Sequence, residues 1–311
     1  MKNRILIIDG PNVALKYIAL KSKINVEVSI LKQIAFFYQK FKPDEVYICW
    51  EGENSRKPRQ NILKEYKANR HKISNQRNAM KKANNMDMGD IEQQITLFKT
   101  KLFKNLPIHQ LFINNLEADD VIANLTRIHN EDNIIIISAD ADFYQLLSDN
   151  VIIYNHLKKN YVTLKDISKE IANPFNFIWQ KAIVGDKSDN IDGIKGLGIK
   201  TFQKIFVDHL HKEEKWKPNL IKEILIKNGK EEFINDILKN FRVIQLFIPL
   251  HALASLEVKA FCEANGKYKF DNEEIIKYFK TFNNFDFTKN NLKLILIPFA
   301  EFMVRKTFGR K

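Results

Sequence analysis

The chain has 311 residues, 45% of them hydrophobic, enough to bury one large core or two packed ones, and a net charge of +13 that favours a polyanionic partner, nucleic acid first. Its two cysteines, Cys49 and Cys262, lie far apart without metal-ligand spacing, which excludes a disulfide framework and a zinc site and points to a reducing cytoplasm. The first apolar run, Ile5 to Ile8, stops at Asp9; it is too short for a signal peptide, and no stretch has the length of a membrane span.

In chain order, Ile5–Asp9 reads as a buried strand. Ser29–Phe41 reads as a helix with Ile30, Ile34, Phe37 and Phe41 on one face. Glu45–Trp50 is a second strand, and residues 53–90 are polar, basic and poor in large apolar side chains. Asp90–Leu106 is predicted helical from Ile91, Ile95, Phe98 and Leu102, followed by a strand at His109–Ile113 and a helix at Ala118–His129. Ile134–Ser138, a helix over Asp140–Leu147 and a strand at Val151–Tyr154 complete the alternation. The βαβ rhythm predicts an α/β fold with a mainly parallel central sheet flanked by helices. Beyond residue 160 strand signals fade, and helices are expected over 164–184, 200–212, 218–228 and 231–246. The expected division is therefore an α/β core over 1–160 and a helical subdomain over 161–311, whose tail after residue 250 has no clear pattern.

Sites on parallel sheets form at the carboxyl ends of the strands. Asp9 ends the first strand and Glu51 follows the second. Glu117, Asp119 and Asp120 follow the third, and Asp140 and Asp142 follow the fourth. Asp186 and Asp189, three residues apart on a presumed helical turn, complete a set of nine. Each alone reads equally well as a helix cap. Together, so many like charges around one crevice would repel by several kcal/mol unless cations neutralised them. Oxygen ligands without His or Cys select Mg²⁺ or Mn²⁺, and two such ions roughly 4 Å apart suit phosphodiester cleavage. With nine acidic residues drawn into one crevice, the remaining surface carries about +22, a collar fit to hold a polyanion over the site.

The run from Gly185 to Thr201 adds a Gly-x-x-Gly-x-Gly turn, Gly193, Gly196 and Gly198, flanked by Lys195 and Lys200. Such a turn brings backbone N–H groups against phosphate.

In Ile8-Asp9-Gly10, Glu65-Tyr66-Lys67-Ala68-Asn69-Arg70, Glu117-Ala118-Asp119-Asp120, Ser138-Ala139-Asp140-Ala141-Asp142 and the run Gly185–Thr201, the sequence resembles the 5′-nuclease superfamily. That superfamily comprises flap endonucleases, the 5′-nuclease domain of bacterial DNA polymerase I and the stand-alone phage 5′-3′ exonucleases also called RNase H. The pieces occur in the family's order across roughly residues 3–205; with no polymerase region following, the sequence looks most like the stand-alone phage type, and a stand-alone nuclease is expected. The resemblance implies that Asp9, Glu117, Asp119 and Asp120 serve one Mg²⁺ (or Mn²⁺) and Asp140, Asp142, Asp186 and Asp189 a second. Glu51 stands where the family usually has Asp. Lys67 and Arg70 match basic residues at the base of a helical arch, about 66–105, that touch the scissile phosphate, and Tyr66 matches a position that stacks on a base. Gly193, Lys195, Gly196, Gly198, Lys200 and Thr201 match a helix–three-turn–helix, about 183–206, gripping duplex phosphates around a K⁺ ion.

The activity implied is a 5′-3′ exonuclease and flap endonuclease, with RNase H action on RNA primers, working in lagging-strand replication. Its expected substrates are DNA with a 5′ flap, a nick or an RNA primer. A monomer is expected, in a bacterial cytoplasm or an infected cell, with a single-stranded DNA-binding protein or polymerase as candidate partners of the tail. Two rival readings stay open: a PIN-type single-strand ribonuclease with the same acidic core, and a non-catalytic binder of DNA structures.

Overall fold

The computed structural model describes residues 2–18, 26–68, 93, 95–212, 214–246, 252–264, 268–281, 286–287 and 291–309. The strands are β1 (Arg4–Asp9), β2 (Glu45–Trp50), β3 (His109–Phe112), β4 (Asn133–Ile137), β5 (Val151–Asn155) and β6 (Asn160–Val162). They form one sheet in the order β3-β2-β1-β4-β5-β6, parallel except for β6, which pairs antiparallel with β5. The β6 hairpin had no signal in the mostly polar residues 155–160.

From β1 the chain winds outward through β2 to β3, then returns to β4 on the other side of β1 and winds outward again. The sheet therefore has its topological switch between β1 and β4, where loops diverge and leave a crevice at the carboxyl ends. β1 and β4 are almost wholly apolar, as strands covered on both faces must be. Leu6 and Ile8 face one layer, with α1 (Gly10–Ile18) and α2 (Val26–Phe41); Ile5 and Ile7 face the other, under α4 (Ala118–Ile128). Between them in sequence lies the short α3 (Lys57–Ile62).

The helix expected over 90–106 is seen from residue 93; it widens to a π turn at Phe98–Leu102 and closes as a 3₁₀ turn at Phe103–Asn105. Residues 69–92, which hold Arg70 and most of the expected arch, lie outside the described residues. The expected helix over 140–147 is a 3₁₀ helix, Ala141–Leu146.

Beyond β6 the described residues are mainly helical, apart from one two-stranded ribbon: α5 (Leu164–Ile167), α6 (Asn176–Val184), α7 (Ile199–Ile205), α8 (Val207–Leu210), α9 (Pro218–Lys227) and α10 (Ile234–Ile244). The helix expected over 164–184 is interrupted around Asn173-Pro174, since a proline ring disfavours helix in the residue before it. Trp179, Phe202, Phe206 and Trp216 centre the core of this region, Trp179 stacking on Phe241 at 3.9 Å. The tail continues as α11 (Ala252–Ala264), α12 (Asn272–Lys280) and α13 (Leu292–Phe308). α13 returns to the sheet layer, where Phe299 and Phe302 meet Tyr38 of α2 edge-on. Among the described residues, no helix is long and apolar enough to cross a membrane.

Candidate metal centre

Asp9 ends β1 and is buried; its carboxylate accepts from the Ser138 hydroxyl at 2.7 Å and from the Asn12 backbone N–H at 3.1 Å. Burial pushes its pKa up to about 7, and the charges of Asp140 and Glu51 push the same way, against those two hydrogen bonds. Asp119, in the first turn of α4, is raised well above the carboxylate range by burial and then by Asp9. Glu51, beyond β2, is raised by burial and by Glu117. Ser138 also caps the next loop, accepting from the Asp140 backbone N–H at 3.1 Å, and Asp140 in turn accepts from the Asp142 N–H.

A second group forms around the start of the helical region. Carboxylate oxygens of Asp142, Asp186 and Asp189 all lie within 4.8 Å of one another. Asp186 and Asp189 do not sit on a helix, as their spacing suggested. Asp186 is in β7 (Gly185–Asp186), which pairs with β8 (Ile191–Asp192), and Asp189 lies in the connecting turn. The turn bond from Asp189 N–H to Asp186 C=O, 3.2 Å, achieves the same convergence of residues three apart.

Two ammonium groups are set into this crevice. Lys67 is 4% exposed and donates to Glu117 Oε1 at 2.6 Å, with Asp189 Oδ2 at 3.8 Å, so it stands between the two carboxylate groups. Its backbone N–H donates to Asp189 C=O, and it sits at φ +54°, a left-handed conformation that non-glycine residues adopt at a cost of roughly 1–3 kcal/mol and that tends to mark functional positions. Lys181, on the last turn of α6, donates to both Asp142 and Asp186, the latter at 2.8 Å. Asp186 is held below its usual pKa because Lys181 and Ser188 outweigh the cost of burial; Asp142 stays raised because burial and its acidic neighbours outweigh Lys181.

Eight of the nine expected carboxylates are thus linked, neighbour to neighbour, by mutual charge or by close oxygen approach, whereas Asp120 is taken up by a guanidinium. Asp120 is fully buried, and both its oxygens accept from the Arg59 guanidinium at 2.6 Å. Asp119 and Asp120 are about 100° apart on the helix, and Asp119 is turned to Asp9 while Asp120 is turned to Arg59. Arg59 also donates to Glu117 Oε2 at 2.8 Å and to the Val243 carbonyl at 2.7 Å, tying α3, α4 and the end of α10. Glu117, which accepts from Arg59, Lys67 and Tyr66, is held below its usual pKa although burial alone would raise it.

Tyr66 corrects a second expectation. It is 3% exposed, packed in the core of the helical region, and its hydroxyl donates to Glu117 at 2.8 Å. It orients a site carboxylate and offers no open ring face to a base.

In the glycine turn, Gly193 lies so close to Val184 that an added Cβ would stand 2.1 Å from the Val184 carbonyl oxygen. Gly185 and Gly196 adopt φ +92° and +80°, which a side chain would strain. Ile194 and Leu197 anchor the turn in the core, leaving Lys195, Gly196, Gly198, Lys200 and Thr201 exposed.

Arg59 and Lys181 escaped the sequence reading. Lys181 lies five residues before Asp186, a spacing that would part them on a continuous helix; the helix ends at Val184 and the chain turns Asp186 back to it. Arg59 had no local signal, its partners being 58 and 61 residues away.

The family described as 5′-3′ exonuclease, N-terminal resolvase-like domain, matches residues 4–172. DNA polymerase I of Caldicellulosiruptor bescii is 30% identical over 200 residues, 61% of this chain but 22% of the polymerase. The 5′-3′ exonuclease of Mycoplasmopsis pulmonis is 26% identical over 304 residues, 89% of this chain and 94% of that protein. The chain thus spans about a fifth of the polymerase and nearly all of the exonuclease. Among solved structures, the 5′-exonuclease of phage T5 with bound zinc overlays with a TM-score of 0.63 at 22% identity, covering 84% of this chain and 97% of that one, a likeness of fold.

Proposed function

The chain belongs to the 5′-3′ exonuclease family, and on that premise we propose that it is a Mg²⁺-dependent phosphodiesterase cutting where a 5′ single strand meets duplex, as a 5′-3′ exonuclease and flap endonuclease. The observation that carries this reading is the convergence of eight carboxylates at the carboxyl edge of the sheet, with Lys67 held between their two groups.

The donor set fits hard divalent cations. It is all oxygen, its Asp142, Asp186 and Asp189 atoms are close enough to share an ion, and burial leaves Asp9, Glu51, Asp119 and Asp142 short of compensating charge. Two Mg²⁺, or Mn²⁺ in their place, would be held by Asp9, Glu117, Asp119 and Glu51 on one side and by Asp140, Asp142, Asp186 and Asp189 on the other. When bound, such ions supply Lewis-acid stabilisation of the phosphoryl oxygens and activation of the attacking water. The protein's own part is electrostatic placement. Lys67 holds a positive charge where the phosphodiester develops negative charge, Tyr66 and Arg59 fix the Glu117 carboxylate against which Lys67 is set, and Ser138 orients Asp9. The exposed amides and lysines of the Gly193–Thr201 turn grip duplex phosphate, around K⁺, at a fixed distance from Asp186 and Asp189.

The biological substrates proposed are 5′ flaps, nicks and RNA primers left by lagging-strand synthesis, with the tail after residue 250 available to a single-stranded DNA-binding protein or polymerase. Arg70 retains its proposed role beside the scissile phosphate. The test compares cleavage of end-labelled 5′-flap DNA and linear single-stranded RNA, with Mg²⁺ and with EDTA. Metal-dependent cuts near the flap junction support the proposal. Preferential cleavage of the RNA would transfer the chain to the ribonuclease reading, and absence of any product would leave a binding protein.

A further inference from the structure

Phe112 is the last residue of β3, and its ring is 61% exposed. In the parallel register it is the partner of Trp50, which is buried and immediately precedes Glu51. The strand end that carries the exposed ring therefore stands one strand spacing, about 4.8 Å, from the strand that delivers a site carboxylate. The loops beyond both strands are stitched together: Gly52 N–H donates to Leu116 C=O at 3.1 Å, and Asn115 N–H to Glu53 C=O at 2.8 Å. Phe112 thus forms part of the rim of the carboxylate crevice, on its β3 side.

One face of this ring is already furnished with a cation. Lys99 Nζ lies 5.5 Å from the centroid of Phe112 and 5.2 Å from that of Trp50. The placement is built. Gln110 accepts from Trp50 Nε1 at 3.2 Å and donates to the Lys99 carbonyl at 3.1 Å, so one side chain ties the indole to the backbone of the π turn. The π turn that carries Lys99 is thereby tied to β3 and to the indole, with Lys99 over the rings. The Lys99 ammonium is half-buried, and among the described residues no carboxylate lies within ion-pair distance of it; burial lowers its pKa, with Glu51 as the opposing charge.

An exposed aromatic face beside a half-buried ammonium, on the rim of a phosphodiester-cleaving crevice, matches the chemistry of one unpaired nucleotide: a base to stack and a phosphate to pair. We infer that Phe112 and Lys99 form a clip for an unpaired nucleotide of the substrate strand, the base stacking on the open face of Phe112 and its phosphate meeting Lys99. The inference rests on the proposed nuclease function and names where that strand is held beside the crevice. Selectivity among bases is low, because every base has a face to stack.

The test uses the full chain and a 5′-flap DNA carrying 2-aminopurine at the unpaired nucleotides next to the junction, one position at a time, bound in EDTA. At one position the wild-type protein quenches the fluorescence. Phe112→Ala abolishes that quenching and weakens binding on the order of tenfold, Phe112→Trp retains it, and Phe308→Ala, which removes an exposed ring on α13, leaves it unchanged. Lys99→Ala lowers the salt dependence of binding by about one counterion. Equal quenching by wild type and Phe112→Ala at every position, with wild-type flap cleavage in Mg²⁺ intact, overturns the clip alone. A wild-type protein that cuts no flap in Mg²⁺ overturns the nuclease function on which the clip rests.

Discussion

Replacing Arg59 with alanine removes the only cation that meets both oxygens of Asp120 among the described residues. Asp120 is 0% exposed and Arg59 2%, so no water is at hand to take over. Breaking a buried, hydrogen-bonded ion pair on one side costs about 3–5 kcal/mol, because the remaining charge is left in a low-dielectric interior. The second bond, from Arg59 to Glu117, and the third, to the Val243 carbonyl, place this variant toward the upper end of that range. A loss of that size is a large part of the roughly 5–15 kcal/mol that stabilises a typical domain. The assay is urea unfolding of the metal-free protein, reading the midpoint at constant slope. The companion variant Arg59→Met with Asp120→Leu replaces the pair by apolar groups of similar size and should recover most of the loss. Because Asp120 is claimed by Arg59, the double variant should also keep divalent-metal binding, while any loss of cleavage reads what Arg59 contributes through Glu117. A single-variant loss under about 1 kcal/mol would refute the structural role, and a stable double variant devoid of metal binding would return Asp120 to the metal site.

Other outcomes are expected together. Lys67→Ala should lower single-turnover cleavage by roughly 10²–10³ with a smaller effect on flap affinity, as for loss of a positioned charge-stabilising donor; a purely affinity effect would return Lys67 to the basic collar. The raised Asp9 carboxyl binds a proton in the folded state that the unfolded chain releases near pH 4, so its contribution is complete below that pH and is lost as pH rises through about 7. Metal-free protein should therefore melt at lower temperature at pH 8 than at pH 5, with apparent Mg²⁺ affinity rising across the same window; a Tm that climbs with pH would contradict the assignment. Glu117 and Asp186, held below their usual range, work in the opposite sense only at lower pH, where protonation of their carboxylates costs stability. Gly193→Ala should weaken flap binding and stability together, since the added methyl meets the Val184 carbonyl oxygen, which belongs to backbone and cannot swing away.

Much of the site was legible because strand and carboxylate adjoin in sequence. The apolar runs of β1 and β4 end one to three residues before Asp9 and Asp140, and the parallel arrangement implied by their spacing puts both at the same edge. What the sequence concealed are the partners brought from far along the chain. Nothing local separates Asp119 from Asp120; the difference arises from Arg59, which claims Asp120. Tyr66 was misassigned for the same reason, since its hydroxyl meets a carboxylate 51 residues away. α13 showed no usable pattern because it carries apolar residues on several faces, and only its packing on α2 selects Phe299 and Phe302 as core.

The central claim, that the crevice carboxylates hold the cations that drive cleavage, is tested most directly by single-turnover cleavage of a labelled 5′ flap by Asp186→Asn, at protein concentrations that bind all the substrate. The account predicts that cleavage in Mg²⁺ is abolished while flap affinity stays at or above the wild-type value, because the substitution removes a negative charge near the phosphates. Cleavage at the wild-type rate would contradict it.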